Sequence, residues 1–267
     1  PPPCLITAYD WDYLSQAFPA TPAVVRIESP LPERYNFLGL DGCGFDQASE
    51  DEDWSDAFVL VMDSEPQRFK RLGPVFWSAQ ARGVIDHHQK VNTSQYDFAL
   101  YDAFAPSTTT LIYGLYQESG LIPSIGAASA LYAGLVFDTS VFRYKLTTPF
   151  SLRMAADLTE LGVDHANIVE CLLLVQPVSR VLLRALVLSK LELSFSGRLC
   201  VSVLSELETG TTDSGGLVDD LIFIEGVDIA ALCVSIPNGR VRLSLRSRSA
   251  IDVADIARAL HSSGGGH

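Results

Sequence analysis

Up to about residue 148, short apolar runs alternate with stretches of helical spacing, the pattern of a parallel α/β sheet. Strands are predicted over residues 4–8, 23–27, 58–62 and 83–85, and three of these runs lead into an aspartate: Asp10, Asp63 and Asp86. In open α/β sheets the ligand crevice lies beyond the carboxyl ends of the strands, so these acids are expected to converge there. A helix is predicted from Ser107 to Gly120, with Leu111, Ile112 and Leu115 at helical spacing and a glycine stop, and a second from Ser124 through Leu131 and Leu135 toward Asp138. Residues 148–193 read as helical almost throughout, with Leu152, Ala155, Leu158 and Leu161 on one face and Leu182, Leu183 and Leu186 on another. After Ser196-Gly197 the pattern turns to strands over 199–204, 229–236 and 241–245, separated by the turn-rich run 209–216 and by Pro237-Asn238-Gly239. The predicted architecture is an N-terminal parallel-sheet domain, a helical linker and a smaller C-terminal α/β domain, with no internal repeat.

Composition narrows what such a fold can do. At 267 residues, 48% apolar and 19% charged, the chain has core enough for one large or two smaller domains and is neither disordered nor collagen-like. Its formal charge of −13 disfavours a protein that tracks along duplex DNA, which needs a basic face, so any nucleic-acid partner should be small. Cys4, Cys43, Cys171, Cys200 and Cys233 are odd in number and form no C-x-x-C pair, which suggests neither a disulfide framework nor a zinc ribbon and fits a reducing compartment. No apolar run reaches the ~18 residues of a membrane helix. The start Pro1-Pro2-Pro3-Cys4 lacks the pattern of a signal peptide, so a cytoplasmic protein is expected, with residues before Pro1 absent.

The strongest local signal for chemistry is Asp86-His87-His88 after a short apolar strand. Mixed carboxylate and imidazole ligands suit Mn²⁺ or a similar divalent ion. A capped turn with solvated histidines explains the tripeptide equally well. Its company shifts the balance: Asp10-Trp11-Asp12 follows the first predicted strand, Asp63 the third, and Asp138-Thr139-Ser140 an apolar helix. Capping accounts for any one of these acids and poorly for all of them.

Taken in order, Asp63, Asp86-His87-His88, Ser107-Thr108 leading into a helix, Tyr132 to Ser140 followed by Phe142-Arg143-Tyr144, and Ser244-Leu245-Arg246-Ser247 with Gly264-Gly265-Gly266-His267 resemble the motifs of the DHH phosphoesterase family. The match is to members that carry the DHH-associated C-terminal domain, and it covers nearly the whole chain. The resemblance implies a DHH catalytic domain over 1–175, a helical linker over 176–195 and a substrate-binding domain over 196–267. It also implies two Mn²⁺ ions, one held by Asp10 and Asp63 and the other by Asp12, Asp63, His87 and Asp138, with Asp63 bridging. His88 would donate to the scissile phosphate, Asp86 would orient the histidines, and Arg246, Ser247, Gly264, Gly265, Gly266 and His267 would hold the rest of a nucleotide. Alone, the tract 262–267 reads as a linker or cloning remnant; its place after the predicted helix at 251–257 favours the binding role. His165, His261 and the acidic run 49–53 are read as solvated surface.

The first motif departs from the family. The histidine expected four positions before the first aspartate is Ile6, and Pro19 and Pro22 interrupt the following helix. Either the motif is pared down and its ion weakly held, or Asp10 and Asp12 are coincidental. The chain also stops at the glycine-rich turn, where the family adds a closing helix and strand. The expected function is Mn²⁺-dependent hydrolysis of short nucleotides (oligoribonucleotides, 3′-phosphoadenosine 5′-phosphate, linear or cyclic dinucleotides such as cyclic di-AMP) to nucleoside monophosphates. The alternative is a nucleotide-binding relative with little catalysis, and a third is an α/β protein with no nucleotide role. The expected partners are short nucleotides, with neither duplex DNA nor membrane and with homodimerisation left open.

Overall fold

The computed structural model describes residues 12–20, 25–27, 33–38, 45–47, 53–64, 66, 69, 72–89, 91–210, 212–248 and 251–260. The chain divides into two compact units, Pro1–Val175 and Gln176–His267. The strand predicted over 4–8 lies outside the described residues.

The first unit contains a short helix α1 (12–17), strands β1 (Val25–Ile27) and β2 (Phe45–Gln47) paired in parallel, and a three-stranded parallel sheet of β3 (Phe58–Met62), β4 (Ala81–Asp86) and β5 (Phe98–Tyr101). Helix α2 (Leu72–Ser78) connects β3 to β4, the crossover that a parallel pair requires. Strand β4 lies in the middle, and Val84, Ile85 and Asp86 on it are almost fully buried. A run buried on both faces reads as continuously apolar, which is why Asp86 stands out there. Gly83 has a packing reason, since a Cβ on it would meet Leu60 Cδ1 at 2.7 Å and Phe58 Cζ at 2.8 Å.

Four helices follow: α3 (Thr108–Ser119), α4 (Ile125–Asp138), α5 (Pro149–Glu160) and α6 (His165–Val169). Their ends obey local chemistry. Ser107, Ser124 and Thr148 cap α3, α4 and α5 by accepting from backbone N–H groups, and Gly120 closes α3 with φ 71°. Helix α4 is apolar nearly all round, as a helix packed on several sides should be, and Ala128, Leu131, Ala133, Leu135 and Val136 have no exposed surface. Its neighbours Ile112, Met154, Leu158 and Ile85 complete the core of this unit.

In the second unit, α7 (Val178–Ser189) precedes a four-stranded mixed sheet in the order β6 (Glu192–Ser194), β7 (Leu199–Leu204), β8 (Ile229–Ile236), β9 (Arg240–Ser247). Only β7 and β8 are parallel. Helices α8 (Glu206–Thr209), α9 (Val218–Ile222) and α10 (Val253–Leu260) complete it. The predicted turn between β8 and β9 is present, with Asn238 and Gly239 both at φ 67°. Of the residues expected to link the domains, α7 places Leu183 and Val187 in a core with Cys200, Leu204, Leu221 and Leu232. Glu192–Ser194 form an edge strand, where helical character was predicted to run on to 193. Leu182, predicted to share the apolar face, is exposed, because the buried stripe of α7 runs through Leu183 and Val187. Among the described residues no single helix is long and apolar enough to cross a membrane.

Candidate metal centre

The carboxyl ends of β3 and β4 meet the N-terminus of α3 and the C-terminus of α4. Asp63 follows β3 in the left-handed region, φ 53°, while its N–H still bonds Ile85 O at 3.0 Å as though the strand continued. Aspartate tolerates that conformation better than most residues, and here it turns a carboxylate out of the sheet edge. Asp63 is 8% exposed and accepts a hydrogen bond on Oδ1 from Thr108 Oγ1 at 2.6 Å.

His87 lies directly beyond β4. Its Nδ1 is 3.2 Å from the carbonyl oxygen of Ala105, which can only accept, so Nδ1 carries a proton. The other nitrogen, Nε2, then faces two carboxylates, Asp63 Oδ1 at 3.4 Å and Asp138 Oδ2 at 3.7 Å. A lone pair between two anions is unfavourable unless a cation sits among them. Burial alone would lower the imidazole pKa, but the hydrogen bond with Asp63 and the charges of Asp138 and Asp63 outweigh it and raise His87 above its usual value. Burial and the nearby Asp63 charge raise Asp138, whereas for Asp63 the cost of burial is outweighed by His87, Thr108 and His88, leaving it lowered.

His88 is fixed differently. Asp86 Oδ1 accepts from both its backbone N–H at 2.8 Å and its Nδ1 at 2.7 Å, which sets the tautomer and leaves Nε2 as the working nitrogen. His88 Nδ1 is 3.8 Å from Asp63 Oδ1, and the two imidazole rings stand 4.8 Å apart. Asp86 is fully buried, and its Oδ2 has no hydrogen-bond partner among the described residues.

These residues fit a divalent cation. Ligand atoms of Asp63, His87 and His88 lie within 4.8 Å of one another, Asp138 adds a further oxygen beside His87, and His87 donates its second N–H to a carbonyl in the manner of metal-bound histidines. The packing that assembles them is tight: a Cβ on Gly134 of α4 would meet Thr109 Cγ2 of α3 at 2.3 Å, so the helices carrying Thr108 and Asp138 approach as only glycine allows.

Asp12 is not brought here. Its Oδ2 accepts from Gln16 Nε2 at 2.8 Å, Tyr116 OH at 2.7 Å and the N–H of Ser124 at 3.2 Å. Ser124 caps the N-terminus of α4 and Asp138 ends its C-terminus, about 21 Å away along the axis. In this structure Asp12 therefore ties α1 to the end of the helix pair remote from Asp138. Asp10, Gly264, Gly265, Gly266 and His267 lie outside the described residues. In the second unit, Arg246 Nε donates to Asp219 Oδ1 at 2.7 Å and Nη1 to Leu245 O at 3.1 Å, and Ser247 ends β9 opposite Ile229. Sequence reasoning gave no role to Thr108 or to the Ala105 carbonyl; the Ser107-Thr108 pair was visible as a motif, and its contact with Asp63 was not.

Residues 196–267 match the family model described as DHHA1 domain. A Thermus thermophilus protein named bifunctional oligoribonuclease and PAP phosphatase NrnA is 31% identical over 183 residues, 68% of this chain and 55% of that protein. A Streptococcus mutans protein named probable bifunctional oligoribonuclease and PAP phosphatase NrnA is 28% identical over 222 residues, 81% of this chain and 69% of that protein. Thus the chain matches little more than half the length of the Thermus relative. The crystal structure of an exopolyphosphatase-related protein from Bacteroides fragilis has the same fold, with a TM-score of 0.85 at 20% identity over 98% of this chain and 80% of that one. These similarities support a DHH family phosphoesterase whose DHHA1 domain spans residues 196–267.

Proposed function

We propose that this protein is a divalent-metal phosphoesterase that hydrolyses short nucleotides to nucleoside monophosphates. The observation that carries the reading is His87 Nε2 set between Asp63 and Asp138, with His88 alongside, its Nδ1 held by Asp86. Asp63, His87 and Asp138 would hold an ion, and Mn²⁺ suits their mixed oxygen and nitrogen donors. When bound, such an ion would supply a hydroxide at neutral pH and offset charge on the attacked phosphate. The chain's own residues do the rest. Thr108 and Ala105 orient Asp63 and His87; Asp86 accepts from His88 Nδ1–H, which leaves Nε2 as the nitrogen that would face the phosphate, accepting a proton when the ring is neutral and donating one to a phosphate oxygen or leaving group when the ring is the imidazolium. In the second unit, Arg246, steadied by Asp219, and Ser247 would grip a further phosphate of the substrate, together with Gly264, Gly265, Gly266 and His267. The names of the two relatives, which refer to oligoribonucleotides and PAP, support nucleotides of a few residues as the substrate class. The charge of −13 supports short substrates over duplex DNA.

A second reading, binding without turnover, is favoured by Asp12, which lies at the far end of α4 instead of completing a second ion's ligands. One assay separates the two. Full-length protein is incubated with Mn²⁺ and, in turn, pApA, PAP and cyclic di-AMP, and AMP release is compared with Asp63→Ala and His88→Ala. AMP release abolished by both substitutions is expected. Nucleotide binding without AMP release above the variants would overturn the enzyme reading in favour of the second.

A further inference from the structure

We infer that Thr108 is a positioning residue of the metal centre: its hydroxyl fixes the carboxylate plane of Asp63 and thereby sets the affinity for the ion. The inference rests on the metal-centre reading above and names a residue beyond the ligands. An aspartate carboxylate rotates about a broad torsion and does not hold one plane by itself. Here Thr108 Oγ1 donates to Asp63 Oδ1 at 2.6 Å, and the same Oδ1 is the atom nearest His87 Nε2, at 3.4 Å, and His88 Nδ1, at 3.8 Å. The threonine is fully buried, so no water competes freely for its proton.

Thr108 is itself held in place. It opens α3 directly after the cap Ser107, and its neighbour Thr109, with Oγ1 2.6 Å from Ser107 Oγ, is wedged against Gly134 of α4. The helix pair therefore fixes the backbone from which the hydroxyl reaches Asp63, and the hydroxyl carries that rigidity across to the end of β3. Hydrogen-bond partners of metal ligands commonly govern affinity about 10- to 100-fold.

The test uses Mn²⁺ alone with full-length protein, reading binding by calorimetry and by electron paramagnetic resonance of the unbound ion, and folding by thermal melts. Thr108→Val keeps the shape and deletes the donor, while Thr108→Ser keeps the donor and deletes a methyl. The expected result is Mn²⁺ binding weakened at least about 10-fold in Thr108→Val, with Thr108→Ser within about 3-fold of the wild type. A merely structural role would move the melting temperature in both variants and would not let serine rescue affinity. Should Thr108→Val fail to fold, Thr108→Ala against Thr108→Ser makes the same comparison. Thr108→Val, or Thr108→Ala in its place, binding Mn²⁺ as tightly as the wild type overturns this inference alone. Wild type binding no more Mn²⁺ than His87→Ala overturns the metal centre and this inference with it.

Discussion

Gly134→Ala tests whether the helix contact behind the site is as tight as the geometry requires. The added Cβ would lie 2.3 Å from Thr109 Cγ2, whereas carbon atoms rest at about 3.5–4.0 Å, so helices or side chain must yield by more than about 1 Å. Thr109 has little freedom to turn away, because it is buried, β-branched and engaged through Oγ1 with Ser107. Overpacking of this kind costs about 1–3 kcal/mol, and an overlap this deep belongs at the upper end. Alanine returns about 1 kcal/mol through its better helix propensity. The net expectation is a loss of about 2 kcal/mol, or a fall in Tm of about 4–8 °C for a unit of this size. Thermal melts by circular dichroism measure it. Thr109→Ser removes the methyl group in conflict, so the double variant should recover most of the loss, a coupling of at least about 0.5 kcal/mol. Because Thr108 moves with Thr109, Gly134→Ala should also weaken Mn²⁺ binding. A single variant that melts at or above the wild type, or a double variant that is merely additive, would refute the packing argument.

Two further outcomes follow from local features. Ser140, Val141 and Phe142 all adopt positive φ (49°, 56° and 61°) just after Asp138, a conformation that costs non-glycine residues roughly 1–2 kcal/mol each. Ser140→Gly relieves one of them and loses the exposed bond from Arg143 Nη2 to Ser140 Oγ, so a gain of about 0.5–1 kcal/mol in urea unfolding is expected; a less stable variant contradicts the strain assignment. The raised pKa of His87 means that, without metal, its proton stabilises the fold fully below the unfolded pKa near 6.5, and that contribution fades as pH rises through the higher folded value. An ion must displace this proton, so apparent Mn²⁺ affinity should climb up to about tenfold per pH unit below the folded pKa and level off above it. A flat profile would show that His87 is not the proton-coupled ligand.

Much of this site was legible because strand ends and helix caps are local events. Asp63, Asp86, His87 and His88 follow apolar runs that become β3 and β4, and the caps Ser107, Ser124 and Gly120 fall where their side chains and φ require. The unread parts depend on distant partners. Thr108 meets Asp63 across 45 positions and Ala105 meets His87 across 18, and neither contact leaves a trace in spacing. The second unit shows another limit: Glu192–Ser194 is too short for periodicity to separate strand from helix, and only pairing with Leu199–Val201 makes it an edge.

Asp12 is where pattern and structure part, and that disagreement can be measured. Asp10-Trp11-Asp12 has the spacing of a ligand pair, yet a carboxylate at the start of a helix serves equally well as an anchor, and the partners decide which. Here they are Tyr116 OH and the N–H of Ser124, 104 and 112 positions away, at the end of α4 remote from Asp138. If Asp12 is an anchor, Asp12→Ala loses hydrogen bonds to a charged acceptor, each worth about 1.5–3 kcal/mol when partly buried. Tm should fall by several degrees while Mn²⁺ affinity stays within about 2-fold, since nothing bonded to Asp63, His87 or Asp138 has moved. Asp12→Asn keeps one carbonyl oxygen for Tyr116 or Ser124 and should lose less stability. A metal ligand would behave in the opposite way: deleting it would relieve repulsion among the acids, leave or raise the melting temperature without metal, and cut Mn²⁺ affinity at least about 10-fold. That second pattern would return Asp12 to the metal centre and would mean that α1 reaches the carboxyl ends of β3 and β4 when an ion is bound.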